Sequence, residues 1–138
     1  MAIVVWDESM AIGNKDIDAQ HAHLFICINN MQEKMLKSRD RHALIDALDS
    51  ADSYIRYHFA TEEKLMEQHG YPEFKAHKAM HQAFVDKITE MGKMVLAAED
   101  QLRDPAGELL GYLLGWLSTH VLVKDKALGE FFARKGVI

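Results

Sequence analysis

Cysteine, proline and clustered basic residues are scarce in this chain of 138 residues, and each shortage excludes something. The single cysteine, Cys27, cannot form an internal disulfide, which suits a reducing cytoplasm. With a net charge of -5 and no basic block or stripe, the chain lacks the footprint of a nucleic-acid binder. No apolar run approaches the ~18 residues that a membrane span needs. The start, MAIVVWDESM, has neither the basic head nor the long apolar middle of a signal peptide, so a cytoplasmic location is the default expectation. Strand signals are nearly absent after the first few residues, as are repeats and low-complexity stretches. The two prolines, Pro72 and Pro105, act as punctuation. Gly70-Tyr71-Pro72 ends one helical stretch and opens another, and Asp104-Pro105 reads as an N-cap with proline at the first helical position.

What is present is helical periodicity. Four segments carry residues spaced alternately four and three apart, the rhythm of a buried helical seam. The first, from about Asp18 to Lys37, places Ile17, His21, Leu24, Ile28, Met31 and Met35 on one seam. The second, Arg41 to Gln68, places Leu44, Leu48, Ala51, Ile55, His58, Glu62 and Leu65. The third, Glu73 to Ala98, places Phe74, His77, His81, Phe84, Ile88, Met91 and Val95. The fourth, Ala106 to Ala133, places Leu110, Leu113, Leu117 and His120. Helices of similar length joined by short connections predict an all-α, up-down-up-down four-helix bundle. The chain reads as one domain, with residues 1–17 as an N-terminal arm anchored by Trp6 and residues 18–138 as the bundle.

The polar seam residues carry the chemistry. His21, His58, Glu62, His77, His81 and His120 occupy positions that the apolar rhythm assigns to the core, and every helix supplies at least one. A buried carboxylate without a partner costs several kcal/mol or changes its protonation. A shared cation removes that cost, because imidazole and carboxylate ligate first-row metals. One seam histidine is usually a hydrogen-bonded core residue, and a lone His-x-x-x-His is common on exposed faces. Five histidines and a glutamate on four seams are not explained that way. His23, His42 and His69 fall off the seams and read as solvent-exposed.

Asp125 is the irregular member. Five residues turn an α-helix by about 500°, leaving Asp125 about 140° around from His120, and the seam itself continues to Lys124. Either Asp125 reaches in from the neighbouring row of Val121, Leu128 and Phe132, or a π-type bulge brings it round. Five imidazoles and two carboxylates exceed the four positions of a closed zinc site and suit two ions, one with three histidines and one with two. Ligand type alone permits zinc, manganese, cobalt or iron.

The ordered segments IDAQHAHLF, HFATEE, HKAMH and WLSTHVLVKDKAL, with the Trp6 arm before them, resemble the hemerythrin family, in particular its single-domain bacterial members. The resemblance covers almost the whole chain. It implies two iron ions per chain in a non-haem, oxo- or hydroxo-bridged centre. His77, His81 and His120 would hold one iron, His21 and His58 the other, with Glu62 and Asp125 bridging. O2 would bind reversibly at the iron with two histidines. Phe59, Trp116, Leu117 and Val121 read either as bundle core alone or as core that also walls a dry O2 pocket; Val121 stands where the family often has isoleucine.

The leading expectation is therefore a non-enzymatic O2-binding protein for storage, transport or delivery, with an unidentified oxygen-consuming enzyme as a possible recipient. With no transmitter module before Ile138, storage or delivery is expected ahead of oxygen or iron sensing. A di-iron oxidase or peroxidase of the ferritin-like type is the enzymatic alternative, but its Glu-x-x-His pattern is absent; Asp18-x-x-His21 comes nearest. A monomer is expected. Cys27, Met31, Met35, Met80, Met91 and Met94 read as packing or edge residues.

Overall fold

Four long helical rods form the fold seen in the computed structural model, which describes residues 5–37, 41–97 and 103–137. They are α1 (Lys15–Lys37), α2 (Arg41–Gln68), α3 (Phe74–Ala97), and a fourth rod in three continuous parts. Those parts are α4 (Arg103–Trp116), a π-helical segment (Leu117–Asp125) and α5 (Lys126–Lys135). Consecutive helices pack together, and α1 also packs on α4, closing an up-down-up-down bundle. Among the described residues there is no strand, and no helix is long and apolar enough to cross a membrane.

The helix ends follow local chemistry. The first helix starts at Lys15, three residues earlier than the periodicity implies, because Asn14 caps it: its Oδ1 accepts from the Ile17 backbone N–H at 3.1 Å. Asp18 reaches back to accept from the N–H groups of Ile12 (2.8 Å) and Gly13 (3.2 Å). Gly70, at φ +67°, ends α2 with paired bonds from Tyr71 N–H to Met66 O (2.9 Å) and Gly70 N–H to Glu67 O (3.3 Å). The fourth rod starts at Arg103, so Asp104 and Pro105 lie within its first turn, where a missing N–H still costs no helical bond. The Ala98 boundary expected for the third helix, and the side chains of Met35 and Leu44, lie outside the described residues.

The arm is held by specific contacts. Residues 8–10 form a short 3-10 turn, and Lys126 Nζ donates to the carbonyls of Ser9 (2.7 Å) and Ala11 (3.1 Å). Trp6 packs on the larger core cluster, while Ile12 presses against α5 at Gly129. A Cβ at Gly129 would stand 2.3 Å from the Ile12 carbonyl oxygen, so this contact requires glycine.

Apolar burial falls into two clusters. One contains Leu24, Ile28, Ile55, Phe59, Phe84, Leu113, Leu117 and Val121; the other contains Ile12, Ile17, Met66, Leu128, Phe131 and Phe132. Between them along every helix lies a polar layer: His21 on α1, His58 and Glu62 on α2, His77 and His81 on α3, and His120 and Asp125 on the fourth rod. Apolar side chains on both sides keep water from that layer and make its charges expensive unless matched.

Candidate metal centre

All seven residues expected as ligands meet in this layer, and none is more than 3% exposed. The π-helical segment explains how Asp125 joins them. Its i to i+5 bonding sets residue 125 one turn beyond residue 120, so both side chains enter the core, while Lys124 is exposed. Asp125 Oδ1 stands 3.0 Å from His120 Nε2 and 3.0 Å from His77 Nε2.

The donors separate into two sets. Glu62, His77, His81, His120 and Asp125 can converge on one point, and His21, His58, Glu62 and Asp125 on another. Both carboxylates belong to both sets. Oε2 of Glu62 lies 3.0 Å from His58 Nε2 and 3.3 Å from His21 Nε2, while its Oε1 lies 3.3 Å from His81 Nε2. Oδ2 of Asp125 faces His21 Nε2 at 3.1 Å, opposite to the oxygen that faces His77 and His120. Each carboxylate thus turns one oxygen to each set.

The site's unpaired polar atoms fit a cation. Both carboxylate oxygens of Glu62 and of Asp125, and both ring nitrogens of His21, are buried without a hydrogen bond of proper geometry, although imidazoles stand close by. His120 Nε2 is 3.0 Å from His77 Nε2 and 3.1 Å from His81 Nε2. Right-angled metal–nitrogen bonds of about 2.1 Å would place neighbouring donors at that spacing.

Charge coupling tells the same story. Burial disfavours charge on His21, yet Asp125 and Glu62 outweigh it and raise the imidazole to about 9. The same balance raises His77 to about 9. His120 moves the other way, because burial and the nearby His77 and His81 lower it despite Asp125. Burial penalises both carboxylates, and Glu62 adds repulsion at Asp125, but the surrounding imidazoles hold both carboxylates below their ordinary range. Protons on imidazole therefore balance the carboxylates when no cation does, and a metal would displace them.

The chain matches the sequence model of the Hemerythrin HHE cation binding domain over residues 13–132. It belongs to the hemerythrin family. A bacteriohemerythrin of Stenotrophomonas maltophilia is 34% identical over 130 residues, spanning 94% of this chain and 82% of that protein. One from Pseudomonas aeruginosa is 30% identical, spanning 97% of this chain and 95% of its own length. Among solved structures, hemerythrin variants with a leucine changed to tyrosine or to alanine superpose with a TM-score of 0.82 at 26% identity, covering 94% of this chain and 97% of theirs.

Within this hemerythrin fold, the residues expected to wall an O2 pocket divide. Phe59 stacks on His81 with ring centroids 3.7 Å apart, and Trp116 stacks on His120 at 4.1 Å, so both orient imidazoles of the three-histidine set. Phe59, Trp116 and Leu117 also line a cavity of about 10 Å³, roughly one water-sized sphere. Its other walls are Leu24, Ile28, Ile55, Phe84 and Leu113, all apolar. Val121 is buried in the same core but does not line this cavity. Leu24, one turn beyond His21, is indistinguishable in the sequence from ordinary seam packing. His23 and His42 are exposed as expected, whereas His69 is half-buried against Phe132.

Two further residues were not singled out from sequence. Gln20 Oε1 lies 2.7 Å from His58 Nδ1, and Gln20 Nε2 donates to Thr61 Oγ1 at 3.2 Å. Glu63 Oε2 lies 2.9 Å from His81 Nδ1. These outer partners fix the rings so that Nε2 faces the layer. Each is the immediate neighbour of a candidate ligand, Gln20 of His21 and Glu63 of Glu62, which is the only signal sequence offered.

Proposed function

We propose that this chain binds O2 reversibly, without chemical turnover, at a non-haem di-iron centre. The observation that carries the reading is the division of seven buried donors into a three-histidine and a two-histidine set sharing both carboxylates. His77, His81 and His120 would hold one iron, and His21 and His58 the other. Glu62 and Asp125 would bridge them, with an oxo or hydroxo group completing the bridge. By donor count, the second iron would be one ligand short of the first. When bound, the two irons supply that open position and the electrons that O2 takes up.

The chain's own residues set the conditions. Glu62 and Asp125 offset the charge of two cations in a layer where water cannot. Phe59 and Trp116 hold His81 and His120 in orientation by stacking. Leu117, Leu24 and the other apolar walls of the small cavity exclude water and protons, which favours release of O2 unchanged. The histidine-rich donor set lacks the extra carboxylates of ferritin-like oxidases, which supports binding over turnover. All seven donors come from one chain, so a single bundle suffices as the functional unit. Delivery to an oxygen-consuming enzyme, or storage, is the role that follows.

Metal analysis tests this reading. Protein purified after iron-supplemented expression should contain two irons per chain. One tightly held ion per chain, or zinc alone, would overturn it.

A further inference from the structure

The two donor sets differ in what stands behind them. His81, in the three-histidine set, sends Nδ1 to a carboxylate, Glu63, at 2.9 Å. His58, in the two-histidine set, sends Nδ1 to a neutral amide, Gln20, at 2.7 Å. The two outer partners also differ in setting. Glu63 is 22% exposed and lies with Phe59, Lys78, His81 and Gln82 along an opening between α2 and α3. Gln20 is buried, and its orientation is locked by Thr61, whose hydroxyl donates to the Tyr57 carbonyl at 3.1 Å. That lock makes Gln20 present its oxygen, not its amide nitrogen, to His58.

An imidazole N–H shared with a carboxylate gives its other nitrogen more electron density than one shared with an amide. We propose that Glu63 and Gln20 are positioning residues that make the two metal positions electronically unequal. Glu63, through His81, strengthens donation at the three-histidine position and favours the higher metal charge there. Gln20, through His58, keeps the two-histidine position poorer in electrons, so the ion with the open site holds its reduced state more readily. This rests on the di-metal reading above and adds to it which residues bias the pair.

The test uses the full chain and two near-isosteric variants, Glu63→Gln and Gln20→Glu. Glutamine at 63 can still accept from His81, and glutamate at 20 needs only the Thr61 hydroxyl to turn and donate. Cobalt(II) is titrated into chelator-treated protein against a competing chelator, and the reduction potential of the iron-loaded form is measured separately. Wild-type protein should take up two cobalt ions per chain in two steps. Glu63→Gln should weaken one step by about tenfold or more and leave the other unchanged. Gln20→Glu should strengthen the other step, and the two variants should move the reduction potential in opposite directions, up for Glu63→Gln and down for Gln20→Glu. A purely structural role would alter the unfolding midpoint and both cobalt steps together, without a signed change in potential, and would overturn the inference. Unchanged affinities and potentials, with two ions bound, would also overturn it while leaving the di-metal reading intact. Fewer than two cobalt ions in wild-type protein would bring down both.

Discussion

His120 and Asp125 are five residues apart and yet face each other across 3.0 Å, because the helix between them is wound with the longer π repeat. The fourth rod returns to α-helix at Lys126, immediately after Asp125. The irregular stretch therefore spans the place where two side chains must reach one centre, as π-bulges often do.

Asp125→Ala should accordingly lower iron content below two per chain, and so should Glu62→Ala, since each carboxylate serves both donor sets. His42→Ala, at an exposed position, should retain both irons. Metal content per chain, measured after identical purification, checks all three. Full iron in Asp125→Ala would show that the π-helical segment serves packing alone.

Removing the metal should destabilise the fold. The four carboxylate oxygens of Glu62 and Asp125 are then left to the neighbouring imidazoles alone, none of which gives them a hydrogen bond of proper geometry. An ion held at a hundred times its dissociation constant adds about 2.7 kcal/mol. For a domain of this size that lowers the anaerobic unfolding midpoint on chelation by on the order of 10 °C. Equal midpoints would contradict the linkage.

The metal-free protein should lose stability as pH rises from about 6.5 to about 9. His21 and His77 are raised from 6.5 to about 9, so their contribution is complete below 6.5 and disappears as pH passes 9. His120, which is lowered, works in the opposite sense as pH falls below 6.5 but is one group against two. The depressed Glu62 and Asp125 contribute above their ordinary values of 4.5 and 3.8 and lose that contribution in acid. Unfolding midpoints of chelator-treated protein across this range give the check, and a flat profile between 6.5 and 9 would oppose it.

Leu117→Asn should bring water to the wall of the small apolar cavity while leaving both irons bound. The oxygenated form should then decay faster to its oxidised form, followed through the visible absorption band. An unchanged decay rate would move the barrier to another cavity wall, such as Leu24 or Trp116.

Gly129→Ala should destabilise the protein by about 1–3 kcal/mol through forced overpacking. The new methyl would collide with backbone at Ile12, which is not the far end of a flexible side chain. Thermal unfolding, together with faster proteolysis within residues 5–14, reads the loss.

Much of this arrangement was legible because burial leaves a period in the sequence. Histidines at seam positions such as His58 and His81 announced a polar layer, since nothing else in the rhythm accommodates them. The winding at Leu117–Asp125 was legible only as a misfit, because the spacing permitted either a bulge or a reach from the adjacent row. Gln20 and Glu63 left no comparable trace. They sit one residue off their seams, where polar side chains are expected anyway, and only the crossing of α1 with α2 and of α2 with α3 shows which histidine each meets. The start at Lys15 leaves no mark in the seam, which does not record where a cap such as Asn14 begins the helix.

Oxygen titration of the reduced, iron-loaded protein tests the central claim most directly. The account predicts a visible absorption change that saturates at one O2 per chain and reverses when O2 is withdrawn. Immediate irreversible oxidation, or no spectral response with two irons bound, would contradict it.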